Sequence, residues 1–310
     1  MWQNIEGIFK PPITIYMIRL TSTVERRHKL LAMLSPLEPL KRHEDVKSVR
    51  TKNTGTWLLE REAFCKWRDS DTIEDNTRVF CCYGIPGAGK TVIWYEPNIL
   101  MRRITNVYFH SSVAIENLYS QLPKYPDIGI ACLYADHKDQ TNQTLTHILG
   151  SFLHQFLTTA PREPIPNEVV QTLENIWYRG GKVGTEDTLT LLRKRLDQLN
   201  RAFICIDAVD ELEPKVRQQL LNTLKDLCTK NTRLFLTGRG HVENEVQKCF
   251  QATQRMTLSA SHQDIQLFVR QEIKDNNSEA IDDVLAKEIE DAIISKSKGM
   301  YVKEFERDSD

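Results

Sequence analysis

Apolar positions along the chain follow two periods. Short unbroken runs at Val79–Tyr83, Ile128–Tyr134, Ala202–Ile206, Arg233–Thr237 and Met256–Leu258 read as strands buried on both faces. Between them, apolar side chains fall three and four apart. Leu145, Ile148, Leu149, Phe152 and Phe156 predict a helix over Thr141–Thr159, and others are expected over Asn167–Tyr178, around Val216, Leu220, Leu221, Leu224 and Leu227, and over Gln263–Ile273. Before the first strand, Thr23–Leu34 reads as a basic amphipathic helix that stops ahead of Pro36 and Pro39, with its Glu25–Lys29 face in solvent. Trp57–Trp67 reads as a second helix with Trp57, Leu58, Phe64 and Trp67 near one stripe, and Asp69–Asn76 as a polar linker. Pro161, Pro164 and Pro166 read as a linker rather than a recognition motif. Alternation of strands and helices predicts an α/β fold of three layers, helices on both faces of a mainly parallel sheet, with ligands bound beyond the strand C-termini.

One such terminus carries a specific motif. Gly84, Ile85, Pro86, Gly87, Ala88, Gly89, Lys90 and Thr91 spell GxxxxGK[ST] directly after the first strand, a match expected by chance about once in a hundred chains of this size. Glycines let the backbone fold around a triphosphate so that N–H groups and a helix N-terminus point at it. Lys90 supplies a charge for the β and γ phosphates, and Thr91 a hydroxyl for Mg2+. The strand Phe203–Ile206 ends in Asp207, placed to hold Mg2+ through water, and Asp210 or Glu211 is a candidate for orienting or deprotonating the attacking water. Arg239, beyond the strand Leu234–Thr237, is a candidate sensor of the γ-phosphate.

Composition narrows the partners. A net charge of -1 gives no reason to invoke nucleic acid or an anionic membrane. No apolar run approaches the roughly 20 residues that span a bilayer, and Met1–Asn4 opens no signal peptide, so a cytoplasmic, soluble protein is expected. Seven cysteines without a CxxC pair read as reduced, mostly buried hydrophobes, and the eight histidines show no ligand spacing.

Taken in order, GTWLL at 55–59, CCYGIPGAGKT at 81–91, ICIDAVDELEP at 204–214 and RLFLTGRG at 233–240 resemble the NACHT family of signal-transducing P-loop (STAND) ATPases. The nephrocystin-type N-terminal domain of large fungal ankyrin- or WD-repeat proteins is the nearest variant. The most specific features are the small Ala208 after Asp207 and the acidic pair Asp210-Glu211. The resemblance implies a sheet in the order 5-1-4-3-2. It also implies a slow ATPase that is closed with ADP and self-associates with ATP. It covers about residues 30–300, dividing the chain into an N-terminal helical segment (1–54), the NTPase domain (55–275) and a helical extension (276–310). A non-catalytic scaffold fragment and, more remotely, a small-molecule kinase are the rival readings.

Two departures stand out. Trp94-Tyr95-Glu96-Pro97 brings a helix-breaking proline where the phosphate-loop helix should continue. Deleting seventeen positions, with one hybrid residue for Trp94 and Ser111, sets Ile93, Ala114, Leu118 and Leu122 on one stripe. Codons for Trp94-Tyr95-Glu96 allow a GTATGA donor, those for Thr105-Asn106 a CTAAC branch site and those for His110-Ser111 a terminal YAG. Residues 94–111 are therefore expected to be a retained intron, or else a surface insertion. The chain also closes on the polar tail Lys303–Asp310, where the family continues into further helices, so a truncated gene model is expected.

Overall fold

The computed structural model describes residues 25–70, 78–84, 108–125, 127–158, 165–229, 231–251 and 253–258, with scattered positions from 261 to 291. Residues 25–32 are helical. The elements that follow are α1 (Pro39–Ser48), a 3-10 turn (Thr56–Glu60), α2 (Glu62–Asp69), β1 (Val79–Gly84), α3 (Tyr108–Tyr119), β2 (Ile128–Tyr134), α4 (Leu145–Thr158), α5 (Asn167–Tyr178), α6 (Thr185–Asp197), β3 (Arg201–Asp207), a 3-10 turn (Val209–Glu211), α7 (Pro214–Leu227), β4 (Thr232–Arg239), a 3-10 turn (Gly240–Val242), α8 (Glu243–Cys249) and β5 (Gln254–Leu258).

The five strands form one sheet in the order β2-β3-β4-β1-β5, every pair parallel. Read from the other edge this is the expected 5-1-4-3-2. β1 to β4 are buried along nearly their whole length because both faces are covered, whereas the edge strand β5 alternates, with Arg255 and Thr257 exposed. Along β3, Ala202, Ile204 and Ile206 point into one core with α4, α6 and α7, whereas Phe203 and Cys205 point into the other with α2 and α3. The second core centres on Phe64, Trp67, Phe80, Phe203 and Phe235, all fully buried, with the Phe80 and Phe235 rings stacked at 6.0 Å. The first core takes in Leu30, Leu31 and Leu34, and α4 meets this N-terminal segment so closely that a Cβ on Gly150 would stand 1.9 Å from the Leu34 carbonyl oxygen.

Some elements differ from expectation. Trp57–Trp67 is not one helix, because Arg61 is extended and separates the 3-10 turn from α2. Leu58 and Trp67 lie nine residues apart, so a continuous helix would turn them half a revolution away from each other. The break buries both. Arg233 ties down the end of α2, donating to the carbonyls of Trp67, Arg68 and Ser70. Pro39 does not simply end a helix; it opens α1 at a first-turn position, where its missing N–H costs nothing. Helix α4 starts at Leu145, not Thr141, since the Thr144 hydroxyl accepts the His147 N–H. Helices α1, α6 and α8 are additions, and α3 carries the apolar stripe of Ala114 and Leu118. The proline linker at 161–164 lies outside the described residues, and the expected helix 263–273 is described only in part. Among the described residues no helix is long and apolar enough to cross a membrane.

Candidate functional site at the C-terminal edge of the sheet

Parallel strands bring their C-terminal ends to one edge, and the chemically distinctive residues of the sequence gather there. Gly84, the first residue of the glycine-rich motif, is the last of β1 and pairs with Arg239 of β4 on one side and Leu258 of β5 on the other. Asp207 ends β3, on the far side of β4. Two strand spacings, about 10 Å, therefore separate the root of the loop from the aspartate. Ile85, Pro86, Gly87, Ala88, Gly89, Lys90 and Thr91 lie outside the described residues, as does nearly all of the anomalous segment 94–111.

Asp207 is 1% exposed. Its Oδ1 accepts the Thr237 hydroxyl at 2.5 Å, and that same oxygen of Thr237 accepts the Ala208 N–H at 2.9 Å. Burial pushes the carboxyl up to about 6, the Thr237 and Ser111 hydroxyls pull the other way, and the charges of Glu211 and Asp210 add to the rise. Ser111 is fully buried in the first turn of α3. Among the described residues, Oδ2 of Asp207 is buried with no hydrogen-bond partner. A buried carboxylate oxygen with an unused lone pair is costly unless a cation, directly or through its water, supplies the missing partner. The donor set fits Mg2+, a hard ion that takes oxygen ligands and keeps most of its waters.

After Asp207 the backbone turns sharply. Ala208 sits in the left-handed region (φ 54, ψ 49), a conformation that costs a non-glycine residue about 1 kcal/mol and that a β-branched side chain would resist. This is the physical reason for a small residue there. The turn throws Asp210 and Glu211 to opposite sides. Asp210 accepts the Arg239 main-chain N–H on Oδ1 at 3.2 Å and faces Arg239 Nε with Oδ2 at 3.2 Å. Its approach needs Gly238, whose hypothetical Cβ would meet Val209, Val242 and Asp210 at 3.0 to 3.4 Å. Arg217 of α7 holds the turn from below through the Leu212 carbonyl at 3.1 Å and carries a two-pronged ion pair to Glu245 of α8 at 2.8 and 2.9 Å.

Glu211, with its side chain 7% exposed, faces the loop after β2, where His137 Nδ1 lies 3.5 Å from Glu211 Oε2 and 3.7 Å from Asp136 Oδ1. Ligand-type atoms of Asp136, His137 and Glu211 all lie within 4.8 Å of one another. This is a proximity that histidine spacing in the sequence could not reveal, since His137 and Glu211 are 74 residues apart.

The structure thus brings together Gly84, Asp207, Asp210, Glu211 and Arg239, and adds Thr237, Ser111 and His137. Thr237 had a readable signal: it is the one hydroxyl at the end of the apolar run Leu234-Phe235-Leu236, beside the strand that ends in Asp207. All seven cysteines are free, and burial raises the Cys81 and Cys132 thiols to about 12, which suits inert core residues.

Solved structures similar to the chain include the Walker-type ATPase PABY2304 of Pyrococcus abyssi (11% identity, TM-score 0.39, covering 79% of this chain and 65% of that one). Others are the Drosophila ORC bound to poly(dA/dT) DNA and Cdc6 (10%, 0.37, 87% and 37%) and PCH-2 of C. elegans (13%, 0.31, 80% and 51%). The chain therefore spans less than two thirds of each of these proteins. No curated protein matches it. The sequence profile described as "Nephrocystin 3, N-terminal" matches residues 53–239, from the segment before α2 to the last residue of β4. That span encloses the glycine-rich motif, Asp207 and its turn, and Arg239, and on this ground the chain belongs to the nephrocystin 3 N-terminal family.

Proposed function

We propose that this domain binds Mg-ATP, hydrolyses it slowly and uses the difference between the ATP and ADP states as a conformational switch of the NACHT type. The observation that carries the reading is the buried Oδ2 of Asp207, unpartnered among the described residues and two strands from the root of a complete phosphate-binding motif. Gly84, Gly87, Gly89 and Lys90 hold the phosphates, and Thr91 and Asp207 serve the metal. Bound Mg2+ supplies charge neutralisation at the β and γ phosphates. Asp210 already spends both oxygens on Arg239, so of the two acidic residues Glu211 is the better placed to take a proton from water. Arg239, with its side chain 47% exposed, can exchange Asp210 for a γ-phosphate. That exchange would loosen the 3-10 turn that Arg217 links to α8, which gives the switch a route outward. Self-association in the ATP state belongs to the same proposal.

A titration of ATP into the Lys90→Ala variant tests it. Binding should be lost there and kept in Glu211→Gln, whose turnover should fall. Undiminished ATP affinity in the Lys90 variant would contradict the assignment.

A further inference from the structure

We propose that His137 is a brake on Glu211. The inference rests on Glu211 being the carboxylate that accepts the proton of the attacking water, and adds what holds that carboxylate at rest.

The loop that carries His137 is built onto the site. Beyond the end of β2, the Ala135 N–H continues the pairing with β3 by donating to the Asp207 carbonyl at 3.0 Å. Gln143, 4% exposed, then clasps the next residue from both sides. Its Oε1 accepts the Asp136 N–H at 3.2 Å and its Nε2 donates to the Asp136 carbonyl at 3.1 Å. The Asp136 carboxylate accepts the Lys138 N–H at 2.9 Å and turns the chain back. His137, between these fixed points, presents Nδ1 to Glu211 Oε2. Its side chain is 63% exposed while that of Glu211 is 7% exposed, so a partly solvated ring meets a carboxylate that lies mostly inside the protein.

In hydrolysis the water oxygen bonds to the γ phosphorus, the bond from that phosphorus to the β-bridging oxygen breaks, and the water proton passes to a Glu211 oxygen. That oxygen must have a lone pair and its negative charge available. A ring N–H directed at Oε2 engages both. His137 touches none of the reacting atoms. It is a positioning residue, and it keeps turnover low without touching the phosphate contacts.

The test compares steady-state ATP hydrolysis and ATP affinity for the full chain, His137→Ala and His137→Lys. Being largely exposed, the position accepts both substitutions without a folding penalty. Removal of the ring should raise kcat by roughly three- to five-fold, the worth of one partly solvated ionic contact, with KM unchanged. Lysine, which restores a donor to the carboxylate, should return kcat toward the parent value. Where the parent turnover is below detection, the alanine variant should bring it into range. An alanine variant with unchanged or lower kcat would overturn the proposal, as would a lysine variant as fast as alanine. Failure of ATP binding in the parent chain would instead overturn the nucleotide reading itself.

Discussion

Thr237 of β4 donates its hydroxyl to Asp207 of β3 at 2.5 Å and accepts the Ala208 N–H with the same oxygen, so one side chain secures both the buried Asp207 carboxylate and the turn that follows it. Replacement by valine keeps the volume and removes both contacts. Thr237→Val is expected to cost about 1–3 kcal/mol of stability, the penalty for leaving buried polar groups unsatisfied. Urea denaturation at neutral pH measures it; a change within a few tenths of a kcal/mol would show that the bridge matters little.

The Asp207 carboxyl gives a pH signature. Its folded-state value of about 6 lies above the ordinary 3.8, so between those values the folded protein holds a proton that the unfolded chain has lost. Stability of the nucleotide-free protein should therefore fall as pH rises from about 4 to 6, and the whole penalty, about 3 kcal/mol, is present above that window. Asp207→Asn should relieve it. The variant is expected to melt higher than the parent at pH 8 and alike at pH 4. Thermal melts across that range check the sign, and a variant less stable at pH 8 would contradict the charge-burial argument.

Trp67 closes the aromatic core between α2 and the sheet, with Phe203 and Phe64 at 5.3 and 5.4 Å and no exposure of its own. Trp67→Ala should cost about 3–5 kcal/mol, read from denaturant midpoints, whereas Trp177→Ala, at a ring half in solvent, should change stability by less than about 0.5 kcal/mol.

The segment between β1 and α3 yields a prediction about the transcript. Ala114, Ile115 and Leu118 of α3 are fully buried in the second core, so Ala114 and Leu118, which share the spacing of the stripe that the shorter sequence would carry on from Ile93, face the core. We propose that one base of the Trp94 codon, codons 95–110 and two bases of the Ser111 codon, 51 nucleotides in frame, are an intron. Transcript sequencing should yield the shorter product with cysteine at the junction. Reads that carry only the long form would leave a surface insertion.

Much of this architecture was legible because it is local. Apolar runs marked β1 to β4 and the short run at Met256–Leu258 marked β5, while the motif at 84–91 and the Asp207 strand each announced themselves within a few residues. What escaped depends on the third dimension. The Arg239–Asp210 pair joins residues 29 apart on different elements, and the His137–Glu211 contact joins residues 74 apart. Nothing along the chain says which strands are neighbours until the sheet order is known. The break at Arg61 escaped for another reason: the spacing of Leu58 and Trp67 conflicts with one helix, and burial of both decides the conflict.

The central claim is that a triphosphate-bound cation completes the unsatisfied oxygen of Asp207, and the most direct measurement is the ATP affinity of the parent chain and Asp207→Asn with and without Mg2+. The account predicts that Mg2+ tightens binding of the parent at least about ten-fold, the equivalent of one ionic contact, and that the Asn variant loses this gain while keeping its metal-free affinity. Equal Mg2+ dependence in the two proteins would contradict it.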